Sequence, residues 1–257
     1  ALYSGYGDGD IGRNDTIKCG DFNNHDIWVF KTDSLGNMTN STHFGSVRGD
    51  GMGDINILPN GEIFLMLGIG GPGGINCDLG GCTSNTTTWN NNLYDIMGVQ
   101  LDANLNLIWS KCYGGSGLEN PHQIFVSPIN GGVDGYWIAS GTNSTDGMLD
   151  TIPQEIDNYT SYVWLFKINT QGEIQKQTAI PMKGLKLNDM KASLDGKIWI
   201  ALETPQLTTT PISYYYTEKL GASEVLILQL DTNLYVERKK LLGGTYDQLD
   251  ARLYPLS

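Results

Sequence analysis

The sequence predicts an all-β fold, a β-propeller of four-stranded antiparallel blades, on the strength of a repeated strand-and-turn unit and a composition rich in turn formers. Four segments align: DIWVFKTDSLGN from Asp26, DIMGVQLDANLN from Asp95, YVWLFKINTQGE from Tyr162 and EVLILQLDTNLY from Glu224. Each is an apolar strand that ends in a polar turn holding Asp or Asn, and the period is steady at roughly 65 residues. The 257 residues include 33 Gly and only 17% charged residues. With many Asn, Asp, Ser and Thr, that composition suits short strands joined by tight turns.

Three more strand families complete each unit. One precedes the later members of the first family, as EIFLMLG from Glu62, YWIASG from Tyr136 and KIWIALE from Lys197. These follow the turn signals PNG at 59–61, NGGVDG at 130–135 and LDG at 194–196. Further upstream lie DINIL from Asp54, HQIFVSP from His122, DMKASL from Asp189 and DARLYPL from Asp250. A more polar set closes the unit, as LIWSKCYGG from Leu107 and VERKKLLGG from Val236. The strands are called a, b, c and d from first to last.

A lone unit of this kind leaves both faces and both edges of its sheet unsatisfied, so units must pack against one another. Radial packing into a propeller is the usual solution at this repeat length, and a β-solenoid, whose coils are shorter, is the competitor. The expected organisation is one domain over 1–257, with a composite blade from 1–46 and 247–257 and further blades at about 47–117, 118–184 and 185–246. Ser257 aligns with Gly61 and Ala1 with Phe64, which puts both ends inside one a–b hairpin. Two readings follow: a ring of four blades closed by strands from both termini, or part of a larger propeller.

The formal net charge of −12 repels a phosphate backbone, and Lys239-Lys240 is the nearest thing to a basic run, so nucleic acid is not an expected partner. No apolar run approaches the ~20 residues that span a bilayer. Cys77 and Cys82 bracket the loop CDLGGC and are candidates for one disulfide, with Cys19 and Cys112 for a second. The alternative is a zinc site, which no C-x-x-C pair or neighbouring His supports. Disulfides favour an oxidising compartment.

DIWVFKTDSLGN (26–37), LDANLNLIWSKCYGGSG (101–117) and LLGGTYDQLDARLYPLS (241–257) resemble the β-propeller repeats of exported and cell-surface proteins of Bacteroidetes. The resemblance covers essentially the whole chain, with the third and fourth units the most divergent. It implies an extracytoplasmic protein, secreted or at the cell surface, delivered by type IX secretion or held as a surface lipoprotein. It also brings in the Bacteroidetes O-glycosylation pattern of Asp, Ser or Thr, then an apolar residue, matched at Thr16, Ser34 and Thr151. N-x-S/T triplets stand at Asn40 and Asn143.

Asp54, His122, Asp189 and Asp250 occupy equivalent positions at the start of strand a, which lines the channel of a propeller. They either form a polar ring that binds a cation or ligand through hard carboxylate oxygens, or accept hydrogen bonds from nearby backbone N–H groups. GDGDIGRND (7–15) places Asp8, Asp10, Asn14 and Asp15 in a Gly-rich loop, a candidate calcium site that lacks the EF-hand pattern; a solvated turn is the alternative for it and for Asp247. Calcium is the one cofactor in view.

Enzymatic motifs are scarce. His occurs only at 25, 43 and 122, no G-x-S-x-G elbow is present, and SLDGKIW departs from the sialidase Asp-box in the position of its Gly. Trp28, Phe64, Trp137, Trp164 and Trp199 fall within strands and are expected to fill the core between sheets. Exposed aromatics for a glycan platform are sought instead in the b–c insertions, at Tyr214-Tyr215-Tyr216 and at Trp89. With the insertion at 142–160, these emerge on one face, where recognition is normally placed. The expected function is therefore noncatalytic binding or scaffolding of a protein or glycan through the b–c loops. A secreted carbohydrate-active enzyme and a structural subunit of an outer-membrane or cell-surface assembly are the alternatives.

Overall fold

The computed structural model describes residues 2–4, 26–44, 50–70, 94–129, 132–150, 161–181, 186–193, 195–204, 224–243 and 251–254. The fold is all-β, and among the described residues the strands form one three-stranded and three four-stranded antiparallel sheets, each built from strands consecutive in sequence. The first sheet holds β1 (Leu2–Ser4), β2 (Asp26–Thr32) and β3 (Met38–Phe44). The second holds β4 (Gly51–Ile57), β5 (Ile63–Gly70), β6 (Tyr94–Leu101) and β7 (Leu107–Tyr113). The third holds β8 (Glu119–Ile129), β9 (Gly132–Thr142), β10 (Tyr162–Ile168) and β11 (Ile174–Pro181). The fourth holds β12 (Lys186–Ala192), β13 (Ile198–Glu203), β14 (Val225–Leu230) and β15 (Val236–Leu242).

The chain divides into two compact units, 1–124 with 144–151, and 125–143 with 152–257. In the first, Ile27, Val29 and Phe44 of the first sheet interdigitate with Ile63, Leu65, Leu67, Met97 and Val99 of the second. The opposite face of that second sheet is closed by Phe64 and Tyr113, whose rings meet over Gly98. A Cβ at Gly98 would lie 3.1 Å from Tyr113 and 3.2 Å from Phe64. In the second unit, Trp137, Val163 and Leu165 pack on Ile198, Ile200, Leu226 and Leu228. The middle strands β10 and β14 are buried along nearly their whole length, while the outer strand β15 is charged from Glu237 to Lys240. Charge on a last strand blunts edge-to-edge pairing.

The expected aromatic core holds for Trp28, Phe64, Trp137 and Trp164, all buried, whereas Trp199 is half-buried. Trp164 stacks on Phe166 at 4.2 Å and donates Nε1–H to Gln177 Oε1 at 3.1 Å.

Every c–d turn is built alike. Asp33, Asp102, Asn169 and Asp231 each accept two backbone N–H bonds, from the residues two and four positions on, at 2.8–3.0 Å. The residue three positions on takes positive φ, which is ordinary at Gly36 and Gly172 but costly at Leu105 (φ 67°) and Leu234 (φ 69°). Both leucines are buried in the cores of their units, and that burial offsets the strained backbone. The a–b turns at 58–62 and 193–197 are equally short, with Gly61 and Gly196 at positive φ.

Candidate functional site

Asp54 and Asp189 stand in matching surroundings. Each follows a bulge in its a strand, where the register with strand b slips between Met52 and Asp54 and between Leu187 and Asp189. A bulge leaves one residue unpaired and re-aims the next side chain. Asp54 accepts N–H bonds from Ile55 at 2.8 Å and from Ile124, on the a strand of the following repeat, at 2.8 Å. Asp189 accepts them from Met190 at 2.9 Å and from Leu253, again on the following a segment, at 2.7 Å. Lys191 adds an ion pair to Asp189 at 3.1 Å. Both oxygens of each carboxylate are thus engaged by donors of the protein, and the two aspartates act as latches between successive repeats. Charge-assisted bonds of this kind are about twice as strong as neutral ones.

The donor to Asp54 lies two residues past His122, and the donor to Asp189 lies three residues past Asp250. The last a segment is therefore one residue out of step with the alignment that paired Asp250 with Asp189; Asp250 itself lies outside the described residues. At the first latch Gly53 abuts Pro121, and a Cβ there would sit 2.8 Å from the Pro121 Cβ. At the second, Arg252 caps the Asn188 carbonyl at 3.1 Å.

A second cluster, not foreseen from sequence, gathers in the first unit at the end of the sheet opposite the tight turns. Asp95 is the second residue of β6, Glu119 begins β8, and the GGSG stretch 114–117 runs between β7 and β8. The two carboxyl groups converge on Gly114, where a Cβ would meet Glu119 Oε2 at 2.6 Å and Asp95 Oδ1 at 2.8 Å. Residues 144–149, the start of the third b–c connection, close over this point. The buried Ser144 hydroxyl donates to Glu119 Oε1 and accepts the Gly117 N–H at 2.7 Å. Asp146 accepts the Ser116 N–H at 2.7 Å, and Met148 donates its N–H to the Gly114 carbonyl at 3.2 Å. Gly115 donates to Glu119 Oε2 at 3.3 Å.

Burial, then the charge of Glu119, then a hydrogen bond with Glu119 raise Asp95 to about 7. The pair holds a proton between two carboxyl groups because two adjacent carboxylates repel in a poorly solvated site. Glu119 is fully buried. Asp95 is half-buried, and the bonds from Glu119 to Ser144 and Gly115 make the pair a brace for the loop.

Asp8, Asp10, Asp15, Thr16, Cys19, Cys77, Cys82, Trp89, Thr151, Tyr214, Tyr215, Tyr216 and Asp247 lie outside the described residues. Ser34 sits on the exposed tip of the first c–d turn, beside Leu35, which is 84% exposed. Cys112 lies on β7 opposite Met97 and packs on the core of its unit; no free thiol is present among the described residues. Among those residues no group of three or more His, Cys, Asp or Glu is placed to hold a metal, and no helix is long and apolar enough to cross a membrane. No protein-family model matches the chain, and no curated protein sequence matches it.

Proposed function

We propose that the chain is a β-propeller recognition module that works outside the cytoplasm and binds a protein or glycan, without catalysis, through its b–c loops. The observation that carries this reading is an asymmetry of connection length. At one end of the second sheet the chain turns back through residues 58–62 and 102–106, and in the fourth sheet through 193–197 and 231–235, each turn locked by its own hydrogen bonds. At the other end the b–c connections run over 71–93, 143–161 and 204–224. Short locked turns leave little to vary, whereas long connections on a rigid sheet are where binding residues are usually set.

The Asp54 and Asp189 latches support radial packing, because they join the a strand of one repeat to the a strand of the next. The same latches count against the carbohydrate-enzyme alternative, which needs carboxylates with an oxygen left for substrate. The extracytoplasmic assignment draws on the resemblance to exported propeller repeats.

The test is capture by the intact chain, compared with a chain in which 206–222 is replaced by a short turn, and with Tyr214, Tyr215 and Tyr216 changed together to Ala. The readouts are a glycan array and pull-down from the native cell surface. Binding that both variants lose while their melting temperatures hold supports the reading. Full binding by both variants, or turnover of a captured glycan, overturns it.

A further inference from the structure

We propose that Asp95 and Glu119, with Ser144, form a proton-dependent latch on the base of the third b–c connection. The geometry is specific to these groups. The two carboxyl groups share the space above Gly114, and only a residue without a side chain lets them meet there. Glu119 passes the constraint on through the Ser144 hydroxyl, which in turn holds the Gly117 N–H. With one proton between them the carboxyls attract and residues 144–149 stay closed on 114–117. With both ionised they repel, and the placement of Glu119, on which the Ser144 bond and so the closure depend, is weakened.

In the segments that meet at the pair, 94–95, 113–119 and 144–150, the other titratable groups are Tyr94, Tyr113, Asp146 and Asp150; Lys111 on β7 and His122 on β8 stand further along their strands. No Lys, Arg or His occurs in 94–95, 113–119 or 144–150 to neutralise a second negative charge. Asp146 is committed to the Ser116 N–H at 2.7 Å. Burial of Tyr113 raises its hydroxyl pKa, so it stays neutral across the range in which the pair titrates.

The direction follows from linkage. Asp95 is raised to about 7 when the latch is closed and returns toward an ordinary carboxylate value when it opens. Closure is therefore strongest below pH 4, weakens by about tenfold per pH unit from there to 7, and levels off above 7. As regulation of the loop end, the latch rests on the recognition reading given above. Its test does not, because amide exchange reads the segment without any ligand.

Hydrogen exchange of the intact chain, corrected for intrinsic rates, is compared at pH 5 and pH 8 for the wild type and Asp95→Asn. An Asn amide donates to Glu119 at either pH. The expected result is a loss of protection over 144–149 of tenfold or more in the wild type, with Asp95→Asn protected equally at both. Protection that is independent of pH in the wild type, or a pH dependence that survives in Asp95→Asn, overturns the latch. A carboxyl-carbon NMR titration of the wild type needs no variant: one midpoint near 7 supports it, and titration of every Asp and Glu below pH 5 overturns it. Loop-trimmed chains that keep full binding overturn the recognition reading and leave the exchange result standing.

Discussion

Leu105 offers a test of how the strained turns are held, because replacing it with Gly and with Ala should reverse the usual order of stability. The residue has φ 67° and is 4% exposed, packed in the core of the first unit. A left-handed backbone costs an L-residue about 1–2 kcal/mol, and removing a buried Leu side chain costs about 2–5 kcal/mol. Both substitutions lose the packing, but Ala keeps the backbone strain while Gly relieves it. Leu105→Gly should therefore destabilise by about 1–3 kcal/mol, and Leu105→Ala by about 1 kcal/mol more. In an ordinary strand or turn Gly is the worse of the two, since it gains more freedom when unfolded. Urea unfolding followed by tryptophan fluorescence gives both values. An Ala variant more stable than the Gly variant would show that the positive φ does not govern this position. Leu234, with φ 69° and 6% exposure, should behave the same way. Gly36→Ala probes the strain alone: a Cβ there meets nothing within 4 Å, yet φ is +85°, so a loss of about 1 kcal/mol is expected.

The latches between repeats give a second test. Asp54→Ala and Asp189→Ala each remove the acceptor of two backbone N–H groups and should cost about 2–3 kcal/mol by urea unfolding, whereas aspartates kept free for a ligand would lose binding and leave stability unchanged. Gly114→Ala puts a methyl group 2.6 Å from Glu119 Oε2, so it should open 144–149 to hydrogen exchange at every pH. Thermal melts should show wild-type stability falling as pH rises from 4 to 7, because the raised Asp95 is protonated in the fold and ionised in the unfolded chain; Asp95→Asn should flatten that slope. Below pH 4 the slope reverses. Asp33 and Asp102, lowered first by the amides of Asn37 and Asn106, and Asp195, lowered first by Ser193, lose their bonds as they protonate. Peptide mapping without reductant should recover Cys19 linked to Cys112, and a Cys112 peptide alkylated at a free thiol would refute that pairing.

The turns and strands were legible in sequence because their signals are local. A polar residue that accepts two N–H bonds, followed by a glycine with positive φ, announces the turns at Asp33 and Asn169 within five residues. The turns at Asp102 and Asp231 were legible only through the repeat, since Leu105 and Leu234 stand where the glycine would, propensity argues against Leu at that φ, and only burial in a neighbouring sheet overrides it. The a-strand aspartates were visible as a repeating position, but their partners were not, because Ile124 and Leu253 contribute backbone atoms that carry no sequence mark. The Asp95–Glu119 pair was legible only in pieces. Both residues flank repeat motifs, yet their meeting depends on Gly114, and the bracing on a serine twenty-five positions beyond Glu119, brought in by a different connection.

Where the polar groups are used up decides what the two ends of each sheet can do. At the tight-turn end one carboxylate oxygen of each of Asp33, Asp102 and Asp231 is engaged by its own turn's backbone, and Lys31 and Lys176 donate to the Ala103 and Thr232 carbonyls of the following repeat's turn. Within each compact unit, that end is stapled from one repeat to the next. At the opposite end the described polar groups brace the root of a connection, through Ser144, Asp146 and Glu119, and the chain then continues into a long segment. A braced root holds a long loop in place without fixing what its tip contacts, which is the arrangement that recognition by variable loops requires. Replacing Ser144 with Ala separates bracing from recognition. It removes the hydroxyl that joins Glu119 to Gly117, so it should weaken ligand capture by 143–161 only to the extent that the root's closure, read by exchange at 114–117, is lost with it. Capture unchanged after that closure has been lost would mean that the brace serves the fold alone.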